Sequence, residues 1–461
     1  MKPKAPTIDS VTTINADGSR YFVHPADVRG FYTTLRRLSA PLLILIYVLL
    51  PMIPINGAPA VFIDVANRRF HLFGFTLIPQ DLWLLFFLIT GLGFSLFLVT
   101  AVFGRIWCGW ACPQTVFLDH VFRRIERLID GDAMARRRLD DAPLTAQKAA
   151  KRTVKHGLFF LVSLLIAHIF VSYFVSLSSL YSMVQRSPAE NWGVFLFVFV
   201  LAAIMYFDFA WFREQFCIVL CPYGRLQSVM IDDDSIVIGY DEHRGEPRGK
   251  AGTTVGDCVD CRRCVQVCPT GIDIRQGLQL ECISCANCID ACDEVMTKIG
   301  RRKGLIRYDS LNALAGRASR FIRPRIFLYA AFALAGAAVF LVSALGVRPV
   351  SLSVLRMQGA PYFRENGFIR NNYMLRLASK RAETSSYRIV VTAPGKNLAI
   401  AGGDAPLVLA SGEEVQHPLI LSLPDAEFTG NFDVTVAIYG NGDEPEAQRT
   451  IVFLGPFREG P

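Results

Sequence analysis

Five stretches of the chain stay apolar for about the length a bilayer demands of a helix, roughly 20 residues. They run from Leu38 to Ile55, Leu82 to Gly104, Gly157 to Leu177, Trp192 to Phe212 and Ile326 to Val347, and they predict five membrane spans. Past Arg348 the pattern turns to short β-rich runs, at 351–355, 373–377, 387–392, 407–410, 419–423, 432–439 and 450–454. Turn residues such as Gly440-Asn441-Gly442-Asp443 punctuate them. Strands at this spacing predict a β-sandwich of immunoglobulin type, without Cys and so without a disulfide between its sheets. Between the second and third spans, Val116, Phe117, Val121, Ile125, Leu128 and Ile129 recur at helical spacing, with Arg123, Arg124 and Arg127 between them. This predicts an amphipathic helix over Thr115 to Ile129 on the inner membrane face.

Charge orients the spans. Lys and Arg number six in residues 1–40, two in 56–81, eleven in 105–156, one in 178–191 and 17 in 213–325. The alternation places the N-terminus and the 213–325 segment in the cytoplasm and the tail outside, in the periplasm of a Gram-negative cell. Hydrophobic residues make up 52% of the 461, with a mean hydropathy of +0.34, which excludes an ordinary soluble protein. The net charge of +8 sits beside the spans, which points to membrane lipid and away from nucleic acid. Residues 1–37 read as a mostly flexible cytoplasmic arm.

All 12 Cys lie between residues 108 and 292. Eight form Cys258-x2-Cys261-x2-Cys264-x3-Cys268-Pro269 and Cys282-x2-Cys285-x2-Cys288-x3-Cys292. Three close Cys wrap one corner of a 4Fe-4S cube, and the fourth, after a longer gap, reaches the other cluster. One cluster is therefore assigned to Cys258, Cys261, Cys264 and Cys292, and the other to Cys282, Cys285, Cys288 and Cys268. Two structural zinc sites are the competing reading. The doubled triple-Cys run with Pro269 favours iron–sulfur, although Asp293 stands where a second Pro is expected.

The remaining four Cys form a repeat, Cys108-x3-Cys112-Pro113 and Cys217-x3-Cys221-Pro222, each following a span that runs from outside to inside. Cys at i and i+4 share a helix face, so each pair suits one soft metal ion. The Pro suits the first position of a following helix, whose N-terminus is expected to lower thiolate pKa values. Trp107, Trp110 and Trp211 read as interfacial anchors. His168 within the third span is a functional candidate or a hydrogen-bonding group between helices. Asp208 reads as an interfacial partner of Arg213 or a water-facing group. His71 in the external loop reads as a solvated side chain.

The Trp-Cys-Gly-Trp-Ala-Cys-Pro-Gln run at 107–114, the Phe-Cys-Ile-Val-Leu-Cys-Pro-Tyr-Gly-Arg run at 216–225, the paired cluster runs and the trailing sandwich, in that order, resemble the CcoG family of cytochrome c oxidase accessory proteins, also called FixG or RdxA. The resemblance covers nearly the whole chain. It implies a membrane polyferredoxin that reduces Cu(II) to Cu(I) during assembly of cb-type haem–copper cytochrome c oxidase, with copper handled at Cys108, Cys112, Cys217 and Cys221. It also implies a cytoplasmic electron donor, copper chaperones and the oxidase assembly machinery as partners, and the bacterial inner membrane as location. Two rivals remain: a subunit carrying electrons between a quinone or cytoplasmic donor and a periplasmic reductase, and a non-catalytic copper-binding scaffold.

The expected fold is thus a multi-domain membrane protein, with an α-helical bundle of five spans, a two-cluster ferredoxin-like insert and a C-terminal all-β immunoglobulin-like sandwich. The expected division is an arm at 1–37, a four-span bundle carrying both C-x3-C-P motifs at 38–230 and the cluster domain at 231–325. The fifth span follows at 326–347 and the periplasmic domain at 348–461.

Overall fold

A computed structural model describes residues 12–14, 19–249, 256–346, 349–381, 383–403, 405–410 and 412–456. It divides into two compact units, Met1–Leu341 and Val342–Pro461.

The first unit is built on helices Phe31–Leu49, Trp83–Phe103, Ala146–Val171 and Trp192–Phe212 and on most of Pro324–Leu345, all five long and apolar enough to cross a membrane. The first and third helices differ from the hydropathy reading at both ends, closing at Leu49 and Val171 rather than at Ile55 and Leu177. The first helix starts seven residues before Leu38, because the carboxylate of Asp290 accepts hydrogen bonds from the backbone N–H of Tyr32 and Thr33 and so satisfies its exposed first turn. The third starts at Ala146, where Thr145 Oγ1 accepts from Lys148 N, so its polar first turns precede the apolar stretch. The second and fifth spans meet at glycine, where a Cβ on Gly336 would lie 2.8 Å from Gly91 Cα. Small residues at a crossing let two backbones approach closely. Phe94 and Phe332 stack beside that crossing, 4.8 Å between centroids.

The connector after the second span is helical over Pro113–Phe117, Leu118–Phe122 and Arg123–Asp130, its middle segment with π spacing. One face of it is packed into the first unit, while Arg124, Arg127 and Leu128 stay exposed. Phe122 stacks on Phe209 at 4.4 Å and meets Phe159 at 5.0 Å, while Arg123, Glu126 and Asp130 are buried on the same helix. Ion pairing explains how a charged face can be inside. Glu126 is clamped by Arg213, with Arg136 and Lys155 nearby, and Asp130 accepts from Lys155 at 2.6 Å. Nor is the described part of the arm a loose tail. Val23 and Val28 are buried, Arg20 pairs with Glu214 at 2.6 Å, and His24 bonds to Asp140 at 2.6 Å. The loop between the first and second spans folds into a three-stranded sheet, Val61–Asp64, Arg69–Leu72 and Phe75–Leu77, in which His71 stacks on Phe62 and bonds to Thr76 rather than to solvent alone.

Strands Ile236–Tyr240 and Ile306–Ser310 pair antiparallel, Ile236 opposite Ser310 and Tyr240 opposite Ile306. The cluster runs hang between the two strands, so the two ends of the Cys-rich segment are held together by a ladder. Val237, Ile238 and Tyr240 are buried, so the first of these strands is part of the core.

The second unit is a sandwich. One sheet has the order Ala399–Ala401, Glu414–Pro424, Phe368–Ser379, Val350–Arg356, with Phe363–Glu365 on the Phe368–Ser379 strand. The other runs Leu407–Leu409, Ser385–Thr392, Phe432–Tyr439, Pro445–Phe453. Alternation sends Leu375, Leu377, Leu419, Leu421, Val434 and Val436 into one core. All seven runs read from the sequence are strands; Phe363–Glu365 and Ala399–Ala401 add short edges.

Candidate functional site

The backbone of the two cluster runs repeats itself. In the first run Asp260 (φ 49°) and Arg262 (φ 54°) flank Cys261, and in the second Ser284 (φ 54°) and Ala286 (φ 63°) flank Cys285. Four left-handed residues without glycine cost roughly 1–2 kcal/mol each. Alternation of right- and left-handed residues turns successive N–H groups into one concavity, the form that cradles anionic and iron–sulfur centres. The matched strain in both runs is the feature that fits them to a cluster.

Most of the Cys side chains of the two runs lie close to one another. Cys268, Cys282, Cys285 and Cys288 line one chamber with Cys264, walled by Ile238, Ile272, Ile274 and Ile283. Burial pushes the Cys282 thiol up to about 11 and Cys285 to about 12, each also feeling Cys268, and it lifts Cys288 well above the usual thiol range. Burial likewise pushes Cys292 up to about 12, and the thiols acting on it are Cys264, Cys261 and Cys258. Thiolates this costly in apolar surroundings call for a bound cation. Among the described residues no three Cys, His, Asp or Glu side chains are drawn in to metal-binding geometry. The fit therefore rests on the donor set and the backbone.

The C-x3-C-P motifs depart from the helix-face expectation. Cys108 lies in the short helix Ile106–Trp110, but Cys112 is extended, φ −61° and ψ 125°, and heads the next helix with Pro113 at its first position. Cys217 lies in the π turn Phe216–Leu220, and Cys221, φ −67° and ψ 110°, heads Pro222–Met230 in the same way. In both, the N–H of the second Cys bonds to the carbonyl before the first, Cys112 to Trp107 at 2.9 Å and Cys221 to Phe216 at 2.8 Å. A helix break thus separates each pair. The likeness extends upstream. Gly104 (φ 56°, ψ −129°) and Arg213 (φ 51°, ψ −123°) each stand four residues before the first Cys. That conformation is natural for glycine and strained for arginine.

The four thiols are neighbours. Burial raises Cys217, and the thiols of Cys112, Cys108 and Cys221 raise it further. Burial also raises Cys112, outweighing the backbone N–H groups of Thr115 and Gln114 at its sulfur, so the helix N-terminus does not win here. For Cys108, burial is opposed by Arg105. Cys108 Sγ donates to Gln227 Oε1 at 3.2 Å, and Arg105 Nε donates to the same oxygen at 3.0 Å.

The thiol site touches the cluster runs directly. Cys108 packs with Ile283 and Cys285. A Cβ on Gly109 would lie 2.4 Å from Ile283 O and 3.0 Å from Cys285 Cα, so only glycine admits this contact. Arg36, on the first span, donates to Gly109 O at 2.9 Å, Asn287 Oδ1 at 3.1 Å and Asp119 Oδ2 at 2.9 Å. Trp110, read from the sequence as an interfacial anchor, reaches the cluster segment: its Nε1 donates to Tyr308 OH at 3.2 Å, which donates to Ser284 O at 2.6 Å. Arg36, Arg105, Gly109 and Gln227 carry no motif of their own, and only the Trp-Cys-Gly-Trp setting of Gly109 hinted at a role. His168 Nδ1 donates to Leu164 O within its own helix at 2.8 Å. Asp208 does not pair with Arg213, which Glu126 holds.

Two antiparallel-tethered cluster runs, a four-thiol edge and five spans define a membrane iron–sulfur protein. Residues 82–130 match the 4Fe-4S binding domain family, 212–311 the 4Fe-4S dicluster domain family, and 340–456 the IG-like fold at the C-terminal of FixG. Protein RdxA of Cereibacter sphaeroides is 39% identical over 386 residues, covering 80% of this chain and 82% of its own. Protein RdxB of the same organism is 37% identical over 416 residues, covering 85% and 86%. Nitrogen fixation protein FixG of Rhizobium meliloti is 36% identical over 385, covering 74% and 73%. The chain belongs to the FixG/RdxA family of iron–sulfur redox proteins.

Proposed function

We propose that this chain is an inner-membrane oxidoreductase that reduces Cu(II) to Cu(I) for assembly of a cb-type haem–copper cytochrome c oxidase. The observation that carries the proposal is the packing of Cys108-Gly109 on the Ile283–Cys285 backbone, which joins a four-thiol edge to the cluster runs. Cys258, Cys261, Cys264 and Cys292 hold one 4Fe-4S cluster, and Cys282, Cys285, Cys288 and Cys268 hold the other. The clusters supply single electrons. Copper is the substrate, taken at Cys108, Cys112, Cys217 and Cys221. Soft sulfur favours Cu(I), so one-electron reduction and capture act in the same direction. Arg105 opposes the burial that keeps the Cys108 thiol protonated, and Gln227 Oε1 orients it. The excess of Lys and Arg in 105–156 and 213–325 supports a cytoplasmic position for this site, facing a cytoplasmic electron donor, with the sandwich in the periplasm. Copper chaperones and the oxidase assembly machinery are the partners that receive Cu(I).

Stopped-flow mixing of Cu(II) with the dithionite-reduced protein tests this. Wild type is expected to reduce copper, and Cys108→Ser/Cys112→Ser and Cys217→Ser/Cys221→Ser to lose the reaction while keeping both clusters. Clusters that stay reduced in the presence of Cu(II) would sink the proposal. Copper binding without turnover would make the protein a scaffold.

A further inference from the structure

A second site lies away from the thiols, where the ends of the third and fourth spans meet the arm and the Arg123–Asp130 helix. It is a cavity of about 880 Å³, within the range that takes a whole organic headgroup rather than a single ion. One wall is aromatic, with Tyr206, Phe207 and Trp211 from the fourth span and Phe22 from the arm. Phe207 is 53% exposed on the outside of the bundle and stacks on Trp211 at 5.2 Å, so this wall continues onto the lipid-facing surface. The other walls carry Arg20, Arg137, Arg152, Lys155 and Arg213 against Glu126, Asp140 and Asp141.

Most of that charge is matched within the protein. Arg213 is held by Glu126, Lys155 by Asp130, and Arg152 by Asp140. Arg20 is paired too, with Glu214, but its hydrogen bonds are incomplete. It is 6% exposed and gives Nη2 to Glu214, while its Nε and Nη1 have no hydrogen-bond partner. Its guanidinium lies 4.9 Å from the Phe22 ring and 5.6 Å from the Trp211 ring. Cation–π contact does not replace the missing acceptors, and a buried unmet N–H is costly. Such a group, lining a large cavity at a bilayer edge, calls for an oxyanion from outside the protein.

We propose that this cavity binds the headgroup of an anionic phospholipid, its phosphate accepting from Arg20 and its acyl chains leaving along Phe207 and Trp211. Basic pockets between spans take anionic headgroups in this way, and aromatic rings at the headgroup level flank the chains. Inorganic phosphate shares the oxyanion chemistry but leaves most of the cavity and its aromatic wall empty. The inference rests on the five helices spanning a bilayer and is independent of copper chemistry.

Native mass spectrometry of the full-length protein in detergent tests it, with phosphatidylglycerol, phosphatidylcholine and inorganic phosphate as probes. One phosphatidylglycerol is expected to be retained per chain, in preference to phosphatidylcholine, and not displaced by equimolar phosphate. Arg137→Gln, at an exposed position, is expected to weaken retention roughly fivefold without changing the melting temperature. Arg20→Gln is expected to abolish it; should that variant not fold, Arg137→Gln decides. Equal retention of the two lipids, displacement by phosphate, or wild-type retention in the variants overturns the proposal.

Discussion

Gly109 and Cys285 meet backbone to backbone: a Cβ on Gly109 would stand 3.0 Å from both the Cα and the N of Cys285. No side chain intervenes between the segment bearing Cys108 and the loop bearing the second cluster run. Gly109→Ala must push against Ile283 O and Cys285, and overpacking of this kind costs about 1–3 kcal/mol. Lower thermal stability and slower copper reduction are expected, with the EPR signal of the second cluster perturbed more than that of the first. Unchanged kinetics in the folded variant would show that the contact does not serve transfer.

Cys268→Ser and Cys292→Ser separate the two ligand sets. On the proposed assignment, in which each fourth Cys serves the other run's cluster, Cys268→Ser is expected to lose the cluster of Cys282, Cys285 and Cys288. Cys292→Ser is expected to lose that of Cys258, Cys261 and Cys264. Iron analysis should fall by about half in each, with a different EPR signal surviving in each.

Arg213 pairs strain with an ion pair. Arg213→Gly relieves a backbone cost of roughly 1–3 kcal/mol but leaves Glu126 short of its principal partner, a loss of about 3–5 kcal/mol. The balance is destabilising. Adding Glu126→Gln to Arg213→Gly is expected to recover part of the loss. Chemical denaturation of the four proteins of this double-mutant cycle measures it.

Glu126 also sets a pH dependence. Burial raises its carboxyl, but Arg213, Lys155 and Arg136 outweigh burial and hold it at about 2. Its folded pKa lies below the unfolded value of about 4.3, so its contribution is full above that pH. The contribution is lost as pH falls from about 4.3 towards 2. Melting temperatures across this window should fall more steeply for wild type than for Glu126→Gln.

Much of this protein is legible along the chain. Spans follow from apolar length, because a bilayer leaves a helix few alternatives. The eight cluster Cys follow from spacing, because a cube corner is wrapped by contiguous backbone. The sandwich follows from alternation, and Pro113 and Pro222 announce the helices they start. Each of these is a local property, written within a few residues of where it acts.

What the tertiary structure decided is which distant residues meet. Gly109 and Cys285, Arg36 and Asn287, Arg20 and Glu214, and Arg213 and Glu126 lie 87 to 251 residues apart. Periodicity carries no information about such pairs. A buried charge takes whichever partner the packing brings, so Arg213 went to Glu126 and not to Asp208, five residues away. The same packing broke each C-x3-C pair off a single helix face, drew Arg123, Glu126 and Asp130 into the interior and ordered the described part of the arm. Spacing marked the two cluster runs; only the fold set Cys108 and Gly109 against one of them.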